Sequence, residues 1–321
     1  MDQYDAIVVG GGIAGLQAAI QLGRYLRSVA VIDAGGGRSS VCRQYSNLLG
    51  WPEGVSGPWL RATGKGQAEQ LNITFVQAEA AYLDKAPAGF VVLDRERLLL
   101  AEGRTVLLAT GIADHIPHLA GLDRCLGVSV YICPDCDGYE AVGCNTVVMG
   151  SGNAGAHMAI AVSYWARRVA YINHTGEAVD AELARQLHEL GIEQIGGRIA
   201  EVAVGADGMF RAALLANGAE VAGDRAFIAF GGSRPRTELA RQLGVACADN
   251  GHVIVDARTK ETSVPGVWAA GDIGLHSQML AVALGEGMLA AVWMHKRLLQ
   301  LQHQLIRVHD DTRPALHARP H

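Results

Sequence analysis

No apolar run in this chain of 321 residues reaches the ~20 residues of a membrane span, so membrane insertion is not expected. Basic charge is also scarce. Lys and Arg total 27 against 32 Asp and Glu, a net charge of −5, and no basic patch stands out. A nucleic-acid partner normally requires such a patch, so that class is set aside. Six cysteines are too few for a disulfide scaffold at this length. The opening MDQYDAIVVGGG has no basic n-region and no cleavage site. No signal peptide is therefore expected, and the cytoplasm is the default compartment. What the chain has in excess is glycine, 40 residues without a fixed period, which points to tight turns and close backbone approaches. Half of the chain is apolar, and its length suits two domains.

Two stretches share one frame. In the first, YDAIVVGGGIAGLQAAIQLGRYLRSVAVIDAG, the run Ala6–Val9 predicts a buried parallel strand. Gly10, Gly12 and Gly15 form G-x-G-x-x-G with Ala14 inside it, and Ile13, Leu16, Ala19, Ile20 and Leu22 mark one helix face. Val29–Ile32 predicts a second strand, closed by Asp33, 18 residues after Gly15. Glycines let backbone N–H groups approach a pyrophosphate, the helix N-terminus stabilises its charge, and the acid accepts from a ribose hydroxyl. The second copy, NTVVMGSGNAGAHMAIAVSYWARRVAYINH, runs from strand Thr146–Met149 through Gly150, Gly152, Asn153, Ala154 and Gly155 to strand Val169–Ile172. The same count of 18 lands on the neutral Asn173, followed by His174. This copy is built like a dinucleotide site but lacks the usual ribose reader. Its alternatives are a preserved fold without its ligand and a site for a changed one.

Between the copies lies ICPDCDGYE. The spacing of Cys133 and Cys136 alone leaves open a metal pair, a structural bridge and a redox couple. Further on, VPGVWAAGDIGLHSQMLAVALGEG predicts a short strand Val267–Ala270, then Gly271-Asp272 and a long amphipathic helix. A strand ending in Gly-Asp beside a helix N-terminus is a second place for a polar cofactor. Periodicity is lost after about Leu305, and residues 305–321 read as a mobile tail.

Taken together, in this order and spacing, these segments resemble the low-molecular-weight thioredoxin reductase family of flavoproteins over residues 1 to about 304. The resemblance implies an α/β fold of two Rossmann-like domains, with a discontinuous FAD domain (1–113 and 242–304) and an inserted NAD(P)H-type domain (114–241) carrying the Cys-x-x-Cys. It implies a homodimer and a thioredoxin-like protein or a small disulfide as substrate. The first fingerprint would hold the FAD pyrophosphate and Asp33 the ribose. Asn47 would lie near the flavin, and Thr110 and Gly111 would cover the adenine–pyrophosphate half. Gly271 and Asp272 would meet the ribityl or pyrophosphate end, and Gln278 and Met279 would lie along the isoalloxazine. Cys133 and Cys136 would form the redox disulfide, with Cys136 facing the flavin, Cys133 attacking the partner and Asp137 moving the proton. A structural zinc would need four ligands, but Cys42, Cys125, Cys144 and Cys247 are isolated and no His pair sits at ligand spacing, so no metal is expected.

Two parts of the nicotinamide site depart from the family. Its His-Arg-Arg reader of NADPH is replaced by Asn173-His174-Thr175-Gly176-Glu177, and its pair of glutamates after the second fingerprint by His157-Met158. Neither His nor Thr reproduces the planar fork with which Arg binds a phosphate. Efficient use of NADPH is therefore not expected, although Arg167 and Arg168 lie nearby in sequence. Reduced ferredoxin as donor, a dithiol oxidase passing electrons to oxygen, and a second flavin or other adenine nucleotide in the altered site are the alternatives. Tyr164 and Trp165 could stack on such a ring, but plain helix packing also explains them. A flavin-binding scaffold without activity is the non-enzymatic reading. Ser277 also stands where the family places an Arg before the Gln.

Overall fold

The computed structural model describes residues 3–302, so the reading of residues 305–321 as a tail lies outside it. The chain begins with β1 (Tyr4–Val9), α1 (Ile13–Arg24) and β2 (Val29–Asp33). α2 (Arg38–Val41), α3 (Gly57–Glu69) and β3 (Thr74–Gln77) follow. The antiparallel run β4 (Tyr82–Ala86), β5 (Gly89–Leu93) and β6 (Leu99–Leu108) comes next, then the short β7 (Ile112–Ala113). The middle of the chain holds α4 (Leu122–Cys125), β8 (Val130–Tyr131), α5 (Pro134–Asp137), β9 (Asn145–Gly150), α6 (Gly152–Val162) and β10 (Arg168–Asn173). It continues with α7 (Ala181–Glu189), β11 (Glu193–Gly196), β12 (Ile199–Val204), β13 (Phe210–Leu215), β14 (Glu220–Ala222) and β15 (Arg225–Ala229). The last elements are β16 (Arg234–Pro235), α8 (Glu238–Gln242), β17 (Val267–Ala269) and α9 (Leu280–Leu301).

The first sheet runs β3-β2-β1-β6-β5-β4, with β17 also paired to β6. β1, β2, β3, β6 and β17 are mutually parallel, Val8 lying opposite Val31 and Leu107. Both faces of this parallel part are covered, which is why its strands read as unbroken apolar runs rather than as alternations. Ala6, Val8, Val29, Val31 and Leu107 face α1 and α9 with Leu22, Ala290 and Met294. Ile7, Val9, Ala30, Ile32 and Leu108 face the opposite way, against Leu83, Phe90 and Leu239. Leu239 and Ala240 of α8 thus join the first core before the expected return at residue 242, because their side chains fill that face.

The second sheet, β11-β10-β9-β15-β8, is entirely parallel and is built from chain lying between β6 and β17. A three-stranded antiparallel sheet, β12-β13-β14, packs on it through Phe210, Val202 and Leu215. β7 and β16 form a two-stranded ribbon where the chain passes from one unit to the other and back. The fold is α/β with two Rossmann-like units. Among the described residues, no helix is long and apolar enough to cross a membrane.

Candidate active site

A cavity of about 420 Å³ opens at the carboxyl ends of β1, β2, β6 and β17, where ligands of doubly wound sheets bind. The β1–α1 turn forms one end of it. Gly10 has φ +109°, and a Cβ there would run into the Ala109 carbonyl, so only glycine fits. A Cβ on Gly12 would meet nothing within 4 Å, because that face is open to the cavity. Gly12 caps α1 without any side-chain hydrogen bond, and the first turn of the helix carries no acid. The amide groups of a twelve-residue helix therefore lie open to an outside anion. The site suits a dinucleotide pyrophosphate on this ground. Ala14 also lines the cavity, whereas Gly15 packs on the Gly10 backbone and serves helix–strand contact.

Asp33 ends β2 at the cavity wall and accepts a hydrogen bond from Arg61 Nη2 at 2.9 Å. Thr110 and Gly111, after β6, line the wall, and Thr110 Oγ1 donates to the Arg236 carbonyl at 2.6 Å. After β17, the Gly271 N–H donates to Glu286 Oε2 at 3.0 Å, and Gly271, Asp272, Gln278 and Met279 all line the cavity. Burial holds the Asp272 carboxyl above the usual carboxylate range, against the opposing pull of Arg38. Asn47 is exposed and is not among the lining residues.

Cys133, Cys136 and Asp137 line the same cavity. The two cysteines form a disulfide across a Cα–Cα distance of 5.3 Å. Pro134 starts α5, a position where its missing N–H costs nothing, and Cys133 is the residue before it. The Cys136 N–H donates to Cys133 Sγ at 3.2 Å, an interaction that favours a thiolate at Cys133 over one at Cys136. Cys136 Sγ lies 3.8 Å from the Gln278 carbonyl. Burial first, and then the nearby Glu140 carboxylate, push the Asp137 carboxyl up to about 7. An acid poised there can give and take protons near neutrality.

Three wall residues were not visible in the sequence. Arg38 makes a two-pronged ion pair with Asp114, Nε to Oδ2 at 2.7 Å and Nη2 to Oδ1 at 2.6 Å. Tyr45 and Cys42 stand beside Asp137 and bond to one another, and burial pushes the Cys42 thiol up to about 11. The glycine run Gly35-Gly36-Gly37, which follows Asp33-Ala34, was the one sequence signal that the next side chain turns back toward the cavity.

The second fingerprint is closed on itself. Gly150 ends β9, and Gly152, with φ +46°, opens α6 together with Asn153, Ala154 and Gly155. The Gly152 N–H donates to Asn173 Oδ1 at 3.2 Å, and Asn173 Nδ2 donates to the Glu177 carbonyl at 2.7 Å. Glu177 Oε2 lies 3.0 Å from where a Cβ on Gly152 would stand, and Asn153 Nδ2 donates to Asp180 Oδ2 at 2.7 Å. His174 is turned into the fold, where Nδ1 accepts from the Ile199 N–H at 2.9 Å. Two carboxylates, Glu177 and Asp180, stand at this turn, while burial and the nearby Arg198 hold His174 below the usual imidazole range. No cluster of metal-ligating side chains occurs among the described residues.

The family model for pyridine nucleotide-disulphide oxidoreductases matches residues 4–287. The chain is 29% identical over 305 residues to thioredoxin reductase tcpT of Claviceps purpurea (strain 20.1), covering 92% of this chain and 94% of that one. It is 29% identical over 311 residues to thioredoxin reductase of Mycolicibacterium smegmatis, covering 90% and 94%. Among solved structures, that of HlmI superposes with a TM-score of 0.83 at 26% identity, covering 94% of each chain.

Proposed function

The chain belongs to the pyridine nucleotide-disulphide oxidoreductase family, and on that premise we propose that it exchanges electrons between FAD and a thioredoxin-like protein disulfide through Cys133 and Cys136. That it is a flavin-dependent disulfide oxidoreductase resembling thioredoxin reductase follows from its relatives. The observation that carries the finer reading is the Cys133–Cys136 disulfide, facing the same cavity as the first fingerprint, with Asp137 raised to about 7 beside it.

FAD, when bound, supplies or accepts two electrons. Gly10, Gly12 and Ala14 would hold its pyrophosphate, Asp33 its ribose, and Thr110, Gly111, Gly271, Asp272, Gln278 and Met279 the remainder of the molecule. The reduced dithiol then acts in two exchanges. The Cys133 thiolate, favoured by the Cys136 N–H, attacks one sulfur of the partner disulfide. A mixed disulfide forms, and the departing partner thiolate takes a proton from Asp137. Cys136 next gives its proton to the emptied Asp137 and attacks Cys133 Sγ; the second partner sulfur leaves as a thiolate, takes that proton from Asp137, and the Cys133–Cys136 disulfide is restored.

NADPH is not the efficient donor in this reading. The acids Glu177 and Asp180 stand at the second turn, and residues 173–184 hold no arginine to make the contacts to a 2′-phosphate that are worth about 1.5–3 kcal/mol each. The same feature favours a second reading, in which a dithiol is oxidised and oxygen takes the electrons. Ferredoxin as donor and a second adenine nucleotide at this turn remain the alternatives, and a homodimer is the proposed assembly. Replacing Cys133 by Ser tests the core of the proposal. Flavin binding is expected to survive and disulfide turnover to vanish, and full turnover in Cys133→Ser would show that this pair is not the redox couple.

A further inference from the structure

We propose that Arg38 is a positioning residue of the redox site, a fixed positive charge at the dithiol end of the cavity that makes the bound flavin a stronger electron acceptor. The proposal rests on the cavity being the flavin site. Its geometry begins with how the guanidinium is held. Asp114 takes Nε and Nη2, and so fixes the plane of the fork. Nη1 is left to reach Asp272 Oδ2 at 3.4 Å and the side-chain oxygen of Gln278. Arg38 lines the cavity and Asp114 does not, so that ion pair presents its positive end inward; Asp272 also lines the cavity, 3.4 Å away, with its carboxyl held above the usual range by burial. Arg38 stays charged, since Asp114 and Asp272 together outweigh the cost of its burial.

The location identifies what the charge acts on. Gln278 touches Arg38 through its side chain and lies 3.8 Å from Cys136 Sγ through its carbonyl. One residue thus separates the guanidinium from the sulfur that meets the flavin. Residue 277, directly before it, is an uncharged Ser. His276, raised to about 9, is taken up by Glu286 Oε2 at 2.8 Å and does not line the cavity, so the cation that faces the cavity beside Gln278 comes from α2, far away in sequence.

A flavin gains negative charge on reduction, and a preorganised cation in a site screened from water stabilises that charge. The affected balance is dithiol plus oxidised flavin against disulfide plus reduced flavin. Two electrons and one proton pass to the flavin, the second proton passes to Asp137 or solvent, and the Cys133–Cys136 bond forms. Arg38 moves this balance toward reduced flavin, that is, toward oxidation of dithiols.

The test uses purified, FAD-loaded protein and two readouts other than turnover: the FAD-to-protein ratio, and the flavin midpoint potential from spectroscopic titration against reference dyes. Arg38→Met is expected to retain FAD and to shift the balance at least tenfold toward dithiol, which is about 30 mV lower for a two-electron couple. Arg38→Gln, which keeps a polar head for Asp114, is expected to shift it equally and serves if the Met variant does not fold. Arg38→Lys is expected to stay within threefold of the parent. An unchanged potential in both charge-removing variants overturns the proposal. So does loss of FAD with an unchanged potential in the bound fraction, which would assign Arg38 to the pyrophosphate. Absence of flavin from the parent protein would instead defeat the reading of the cavity itself.

Discussion

Asp137→Asn separates the electrostatic cost of the redox site from its chemistry. The Asp137 carboxyl is raised from 3.8 to about 7, chiefly by burial and secondly by Glu140. A carboxyl whose folded value lies above its unfolded one contributes stability that is complete below pH 3.8, where both states hold the proton. That stability is lost as pH rises toward about 7, because the folded protein must then carry a partly buried charge. At 1.36 kcal/mol per pH unit the loss has a ceiling of ~4 kcal/mol, which water reaching the partly exposed side chain reduces to ~1–3 kcal/mol. Asn carries no charge at any pH and escapes this loss. Thermal unfolding of the oxidised, FAD-loaded protein from pH 4.5 to 8.5 should show the two melting curves converging at the acid end. At pH 8 the variant should melt higher by roughly 2–5 °C. Disulfide turnover should move the other way. The parent rate should fall as pH passes about 7 and the proton donor empties, while Asp137→Asn should lack that limb and run ~10²–10⁴-fold slower. Parallel melting curves would refute the burial argument, and an unchanged pH–rate profile would remove Asp137 as the proton carrier.

Gly10→Ala should purify with little or no FAD, since φ +109° and the Ala109 carbonyl leave no room for a methyl group; a parent-like flavin absorbance would show that the turn tolerates a side chain. Micromolar NADPH should fail to bleach the flavin in anaerobic stopped-flow mixing, because the second turn offers Asn173, Glu177 and Asp180 in place of arginines; bleaching within milliseconds would restore ordinary thioredoxin reductase activity. NADH should also be slow, as Asn173 already uses its amide oxygen on the Gly152 N–H; saturable micromolar NADH binding would count against the closed turn.

Much of the fold was legible because its signals are local. A strand buried on both faces must be apolar at every position, and a backbone turning at φ +109° against a carbonyl must be glycine, so β1, α1, β2 and their second copy announce themselves within thirty-odd residues each. The placing of Cys133 and Cys136 beside Asp137, and the missing arginines after β10, are likewise matters of neighbours along the chain. Other features depend on distance in space. Asn47 was expected near the flavin from the resemblance, yet the path of the loop leaves it exposed and outside the cavity wall. Glu177 closes the second turn because the chain folds back after β10, which no residue count from Gly155 reveals. The charge at the dithiol end needed the most assembly. Arg38 follows β2, Asp114 follows the β7 ribbon, and Asp272 and Gln278 follow β17, and only the parallel sheet brings the ends of those elements together. Sequence periodicity reports which face of an element is buried, but which guanidinium meets which carboxylate is decided by strand order, since side chains separated by more than two hundred residues become neighbours only when β2, β1, β6 and β17 lie side by side.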